Sequence, residues 1–173
     1  MIRRIALAMS CAVDVRPPIR VKRHRIIKAG ELERTIEFAA RLAGTGGGIL
    51  VLLDADDDCP AELGASLLER ARRARSDRSI RVVLAKAEFE AWFLASARSL
   101  AGHRGLPVAL EAPADAESVR DAKGWLSRSM LAGHSYRAVL DQPALAAVMD
   151  LALARHAPSF DKFWRDVEAL LRE

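Results

Sequence analysis

The sequence predicts an α/β fold: a mainly parallel sheet flanked by helices, with further helices from the C-terminal part of the chain packed on it. Two apolar runs and the segments that follow them carry this prediction. Ile49-Leu50-Val51-Leu52-Leu53 is apolar without alternation, the pattern of a strand covered on both faces in a parallel sheet, and Ile80 to Ala85 is a second such run. Each run leads into a segment of helical period, and a β-α-β-α succession implies parallel pairing through right-handed crossovers.

In chain order, Ile2 to Ser10 reads as the end of a helix, broken by Arg16-Pro17-Pro18. Ile19, Val21 and His24 alternate with Arg20, Lys22 and Arg25, the period of an edge-type strand. A helix follows from Gly30, with Leu32, Ile36, Ala39 and Ala43 along one face and Glu31, Glu33 and Arg34 on the other; Gly44-Thr45-Gly46-Gly47-Gly48 ends it. After the first apolar run, Cys59-Pro60 precedes a helix from Ala61 to Arg75 that turns Leu63, Leu67 and Ala71 inward and a crowd of arginines outward. The second run leads to a helix from Glu88 to Leu100 carrying Phe89, Trp92, Phe93, Ala97 and Leu100.

Beyond His103 only helices are expected. One carries Val119, Ala122, Leu126 and Met130. Another opens near Pro143, a residue suited to a first helical turn, and carries Leu145, Val148, Met149 and Ala152. The last places Phe160, Phe163, Trp164, Val167 and Leu171 on one stripe. None of these buries its apolar face alone, so residues 1–173 read as one domain, an α/β part over 1–103 and a helical extension over 104–173.

A chain of 173 residues with 51% hydrophobic content is long enough to bury a core. The excess of 27 Lys and Arg over 23 Asp and Glu gives a net charge of +4, and the pI near 9.5 is compatible with a phosphate-bearing partner. Cys11 and Cys59 stand far apart, which suggests neither a zinc site nor a disulfide framework and fits a reducing cytoplasm. Arg3-Arg4 followed by Ile5 to Met9 imitates a signal peptide, but the apolar run is shorter than the roughly 7–15 residues a signal needs. No stretch approaches the length of a membrane span.

The first apolar run ends in Asp54-Ala55-Asp56-Asp57-Asp58, which sets carboxylates at the carboxyl edge of the sheet, where open α/β folds place their sites. Like charges this close call for a compensating cation, and hard oxygen donors select Mg²⁺ or Mn²⁺ over zinc. Residues two apart on an extended segment point the same way, so Asp54 and Asp56 are the expected metal pair, extended by Asp58. Asp58 equally suits a cap for the helix after Cys59-Pro60. The second run leads into Lys86-Ala87-Glu88-Phe89-Glu90-Ala91-Trp92, where Glu88, Glu90 and Lys86 are the expected catalytic groups. Ordinary first-turn glutamates, favourable against the helix dipole, are the alternative reading, and because positions two apart do not share a helix face, one glutamate of the pair is expected at the site.

Leu52 to Pro60, the Glu88-Phe89-Glu90-Ala91-Trp92 box, Asp121-Ala122-Lys123-Gly124-Trp125-Leu126 and Ser159-Phe160-Asp161-Lys162-Phe163-Trp164 together resemble the bacterial family known as domain of unknown function 4276, which is similar to Toprim domains. The resemblance covers nearly the whole chain. It implies a Toprim-like fold, Mg²⁺-dependent phosphodiester chemistry of the nuclease type, and a DxD motif matched by Asp54 and Asp56. It also implies nucleic acid or an ATPase as partner and a link to phage defence. The chain departs from the pattern at its start, because no Val-Glu-Gly-like first strand precedes the helix at Ile2. A misassigned start, a shortened chain or a lost first strand would each account for that. The alternative function is then a non-catalytic Toprim-like module that binds nucleic acid or a partner, and a missing edge strand would leave room for a partner subunit.

Lys123, from its family box, and Arg23, within the basic segment Arg16 to Lys28, are the expected phosphate contacts; Arg70 to Arg78 form a second basic segment. Charge runs on helix exteriors are more often solvated faces. His24, His103, His134 and His156 have no spacing suited to a metal or a catalytic pair. The aromatic residues at helical spacing read as core and not as stacking platforms. The glycines before Ile49 lack the Gly-Lys-[Ser/Thr] of a phosphate loop. A phosphatase of the haloacid dehalogenase type would want its Asp-x-Asp on the first strand, followed by Thr or Val, where this chain has Asp57.

Overall fold

The two apolar runs form β1 (Ile49–Asp54) and β2 (Ile80–Ala85), a two-stranded sheet in the computed structural model, which describes residues 1–173. The amide of Ile49 donates to Ser79 O at 2.9 Å and that of Ala55 to Ala85 O at 2.8 Å, the same sequence offset at both ends, so the strands are parallel. The fold class is mixed α/β, as the alternation predicts. The expected cover on both faces holds for β2, buried except at Arg81, but not for β1, where only Ile49 is fully buried. Apolar composition alone does not supply that cover; it has to come from neighbouring elements.

The chain divides into two compact units. Ile2–Asp54, Asp58–Leu84 and Phe163–Glu173 form the sheet unit; Ala55–Asp57 and Ala85–Lys162, with Met1, form the helical unit.

The sheet unit opens with α1 (Ile2–Ala8), which buries Ile5 and Ala6. The strand expected over Ile19 to Arg25 is absent: Cys11 to Lys22 is irregular, and α2 (Arg23–Ile26) is a single helical turn. Pro17 and Pro18 have no amide to give a ladder, and the period-two pattern has no neighbouring strand to pair with. Gly30, at φ +81°, turns the chain into α3 (Glu31–Ala43). Its buried stripe is Leu32, Ile36 and Ala40, at strict four-residue spacing, instead of the expected drift to Ala39 and Ala43. Pro60 starts α4 (Pro60–Ala74), which buries Leu67 and Ala71 and packs against α3. Gly64 sits so near β2 that a Cβ there would lie 3.3 Å from Leu84 Cδ1. Arg70 locks the pair of helices: its guanidinium is bidentate to Glu33 at 2.8 and 3.0 Å and also donates to the carbonyls of Ile27 and Lys28.

The helical unit is built around α5 (Ala91–Ala95), in which Ala91, Trp92, Phe93 and Leu94 are all buried. The long helix expected from Glu88 to Leu100 breaks at both ends. Residues before Ala91 form turns, and beyond Ser96 the chain tightens into a 3₁₀ turn, Ala97–Leu100. Ser96 is fully buried, and both its amide and its hydroxyl donate to the carbonyls of Trp92 and Phe93, so the backbone tightens from four-residue to three-residue bonding at this side chain. Against α5 lie a 3₁₀ turn (Ala116–Ser118), α6 (Ala122–Ser129) and α8 (Leu151–Ala154), while α7 (Ala138–Val148) packs against the Ala97–Leu100 turn.

Pro143 lies inside α7 and does not open it; the helix starts at Ala138, where Asp141 accepts the Arg137 amide at 2.7 Å. Asp150 caps α8, which therefore separates Ala152 from the α7 stripe. The last helix, α9 (Pro158–Arg172), begins in this unit, and its residues from Phe163 belong to the sheet unit. Trp92, Phe160 and Phe163 are fully buried, with the Trp92 and Phe160 rings edge to face at 5.1 Å, so these aromatics are core as expected. No helix is long and apolar enough to cross a membrane.

Candidate functional site

The carboxyl ends of the strands lead into the expected acidic segments, but the backbone there is not extended. Asp54 is the last residue of β1; its carbonyl accepts Arg23 Nε at 2.9 Å, and the same guanidinium pairs with the Asp58 carboxylate. Asp56 adopts φ +50°, in the left-handed region, so the alternation that would aim Asp54 and Asp56 the same way stops at Asp54. Asp54 and Asp58 fall in the sheet unit, Asp56 and Asp57 in the helical unit.

Within the helical unit, the Asp56 amide donates to Ala87 O at 3.0 Å, which sets Asp56 beside the turn that carries Lys86, Glu88 and Glu90. Ala87 itself stands at φ +57°, a conformation that an L side chain rarely adopts. Asp57 and Arg120 form a pair at 3.2 Å on the surface. The Lys86 amide donates to Ser159 Oγ at 3.3 Å while its side chain is exposed.

Because the segment is a turn and not the start of a helix, Glu88 and Glu90 converge. Both meet Lys123: its ammonium lies 3.0 Å from Glu88 Oε1 and 2.8 Å from Glu90 Oε2, and its amide donates to Glu88 Oε2 at 3.2 Å. Glu90 is fully buried, and its other oxygen accepts the Tyr136 hydroxyl at 2.9 Å and the Gln142 amide at 3.2 Å. Burial works against the Lys123 charge, but the hydrogen bonds it donates to the glutamates, together with their negative charges, outweigh burial and raise its pKa, so the ammonium persists. Burial and the Glu90 charge raise the Tyr136 phenol well above its ordinary value, keeping it a donor.

The Asp121 to Leu126 box explains how Lys123 is aimed. Asp121 caps α6 by accepting the Gly124 amide at 2.9 Å and pairs with Arg128. A Cβ on Gly124 would fall 1.8 Å from Asp121 Oδ2, so only glycine lets this cap close. A second polar chain joins Glu117, Ser159 and Trp92: Glu117 Oε1 accepts the Ser159 amide at 2.9 Å and its hydroxyl, and Ser159 Oγ accepts Trp92 Nε1 at 2.7 Å. Tyr136, Gln142 and Glu117 carry no local sequence pattern that marks them; the Glu88 to Trp92 and Asp121 to Leu126 boxes are the signals that point at the Lys123 centre.

Oxygen donors of this kind suit Mg²⁺ or Mn²⁺, but their arrangement does not. No three His, Cys, Asp or Glu side chains are grouped to hold a metal ion. Glu88 and Glu90 are turned onto an ammonium, and Asp57 and Asp58 onto guanidinium groups.

No curated protein and no solved structure matches the chain. The model of the family described as Domain of unknown function (DUF4276) matches residues 4–168, and the chain belongs to that family.

Proposed function

We propose that this chain is a Toprim-like module that binds nucleic acid without turning over a phosphodiester at its acidic centre. One observation carries the reading: the Lys123 ammonium, 3.0 Å from Glu88 and 2.8 Å from Glu90, supplies from within the chain the positive charge that a divalent ion would bring. The basic balance, with a pI near 9.5, supports a phosphate-bearing partner. The ATPase partner and the link to phage defence rest on the family resemblance.

The experiment is a paired assay on the full chain. Mn²⁺ titration followed by spin resonance is expected to show no site tighter than millimolar, and plasmid DNA and RNA are expected to stay intact with Mg²⁺ or Mn²⁺ while being retained in filter binding that weakens as salt rises. Metal-dependent cleavage that disappears in Asp54→Ala would overturn the reading.

That outcome would establish the second reading, a Mg²⁺-dependent nuclease of Toprim type. It is favoured by the Asp56–Ala87 backbone bond, which sets the second aspartate of the DxD beside the turn bearing Glu88.

A further inference from the structure

A cleft of about 360 Å³ on the helical unit, which shares no lining residue with the Lys123 centre, is walled by residues of two loops, Arg104 and Gly105 on one and Gly133 to Ser135 on the other, with Arg137 and Asp141. Its one acid is already committed. Asp141 is 3% exposed; one oxygen takes Arg104 Nε at 2.9 Å and a second Arg104 nitrogen at 2.8 Å, and the other takes the Arg137 amide at 2.7 Å. Burial alone would raise the Asp141 pKa, but these donors and the two arginine charges hold it below the ordinary value, so it stays ionised. Arg104 is thereby fixed in place with 42% of its side chain exposed.

The groups left facing the cleft are donors. The Arg137 guanidinium is exposed and has no ion-pair partner, and the His134 and Ser135 side chains are exposed without one. Arg104 stands at φ +54°, a strained angle for an L side chain, and Gly105 follows at φ +85°, which glycine adopts freely; the Leu131 amide donates to Gly105 O at 2.8 Å, pinning the two loops together. A Cβ on Gly105 would fall 2.8 Å from the His134 ring, so the approach of the loops depends on glycine.

We propose that this cleft binds the phosphate group of a phosphate ester, with Arg137 and the outer face of Arg104 as its cations and His134 and Ser135 as further donors. The cleft is larger than one phosphate ion needs, which is why the ligand class is an ester. Its existence is independent of the nucleic-acid reading above; only the assignment of the phosphate to a nucleic-acid backbone rests on that reading.

The test is calorimetric titration of the full chain with inorganic phosphate, adenosine monophosphate and a short single-stranded oligonucleotide, repeated on Arg137→Gln, His134→Ala and Arg41→Gln. Arg41 is an exposed arginine on α3, outside both basic segments, whose loss changes the net charge by the same amount. Arg137→Gln is expected to weaken binding about tenfold, His134→Ala to weaken it less, and Arg41→Gln to leave it unchanged, with thermal midpoints confirming that all three fold. Tightest binding of the oligonucleotide, with a salt slope lowered by about one in Arg137→Gln, would assign the phosphate to a nucleic-acid backbone. Binding of adenosine monophosphate or phosphate with no oligonucleotide affinity would keep the cleft and remove the nucleic-acid source. Failure of all three probes to bind, or equal losses in Arg137→Gln and Arg41→Gln, would overturn the proposal.

Discussion

Tyr136 donates its hydroxyl to the fully buried carboxylate of Glu90 at 2.9 Å, so the one tyrosine of the chain reports directly on the acidic centre. Burial and the Glu90 charge raise its pKa above the ordinary 10.0. An unfolded chain ionises its tyrosine at the ordinary value while the folded one does not, so above that pH the unfolded state binds fewer protons and stability falls as pH rises. The tyrosinate absorbance of the native protein should therefore appear only together with unfolding. A reversible phenol titration near the ordinary value, with native circular dichroism retained, would contradict the hydrogen bond.

Lys123→Met should destabilise the fold by about 3 kcal/mol, because it leaves Glu90 buried beside a second carboxylate with no cation between them. Adding Glu90→Gln should recover most of the loss in urea denaturation. Equal stability of the single and double variants would show that the ammonium does not hold the pair.

Gly124→Ala tests how Lys123 is positioned. The new Cβ displaces the Asp121 cap, and the expected cost is about 1 kcal/mol in thermal or chemical unfolding. Asp121→Asn, which keeps a capping oxygen but loses the Arg128 pair, should cost less.

Arg70 hydrogen bonding pulls the Glu33 carboxyl from its ordinary 4.5 to about 2. A depressed folded pKa gives stability that is present above 4.5 and lost as pH falls toward 2. With a third of Glu33 in contact with water, screening leaves a contribution of roughly 1 kcal/mol. Acid unfolding of Glu33→Gln should show a correspondingly shallower loss of stability across that window than the parent chain.

The sequence revealed most where a pattern repeats over a whole element. The apolar runs 49–53 and 80–85 mark both strands, and the four-residue spacing of Leu32 and Ile36 marks α3. It misled where one side chain or one neighbour decides. Alternation over Ile19 to Arg25 has strand period but no partner strand, and Ser96 ends a helix that the aromatic spacing alone would continue. At the candidate site, Glu88, Glu90 and Lys123 could each be named from sequence, but not their meeting, because that depends on Ala87 and Asp56 leaving the helical and extended regions. Tyr136 and Gln142 were invisible: each is a single polar residue whose partner lies more than forty positions away.

Alanine at position 87 has a consequence of its own. Glycine would rest at that backbone angle without strain, whereas alanine there costs roughly 1–2 kcal/mol. In the unfolded chain, however, alanine samples fewer backbone states than glycine, and that narrowing offsets part of the cost. The turn is thus a preorganised template. The entropy of bringing Glu88 and Glu90 together is met by the backbone of the turn, so the Lys123 ammonium meets two carboxylates whose spacing is set in advance.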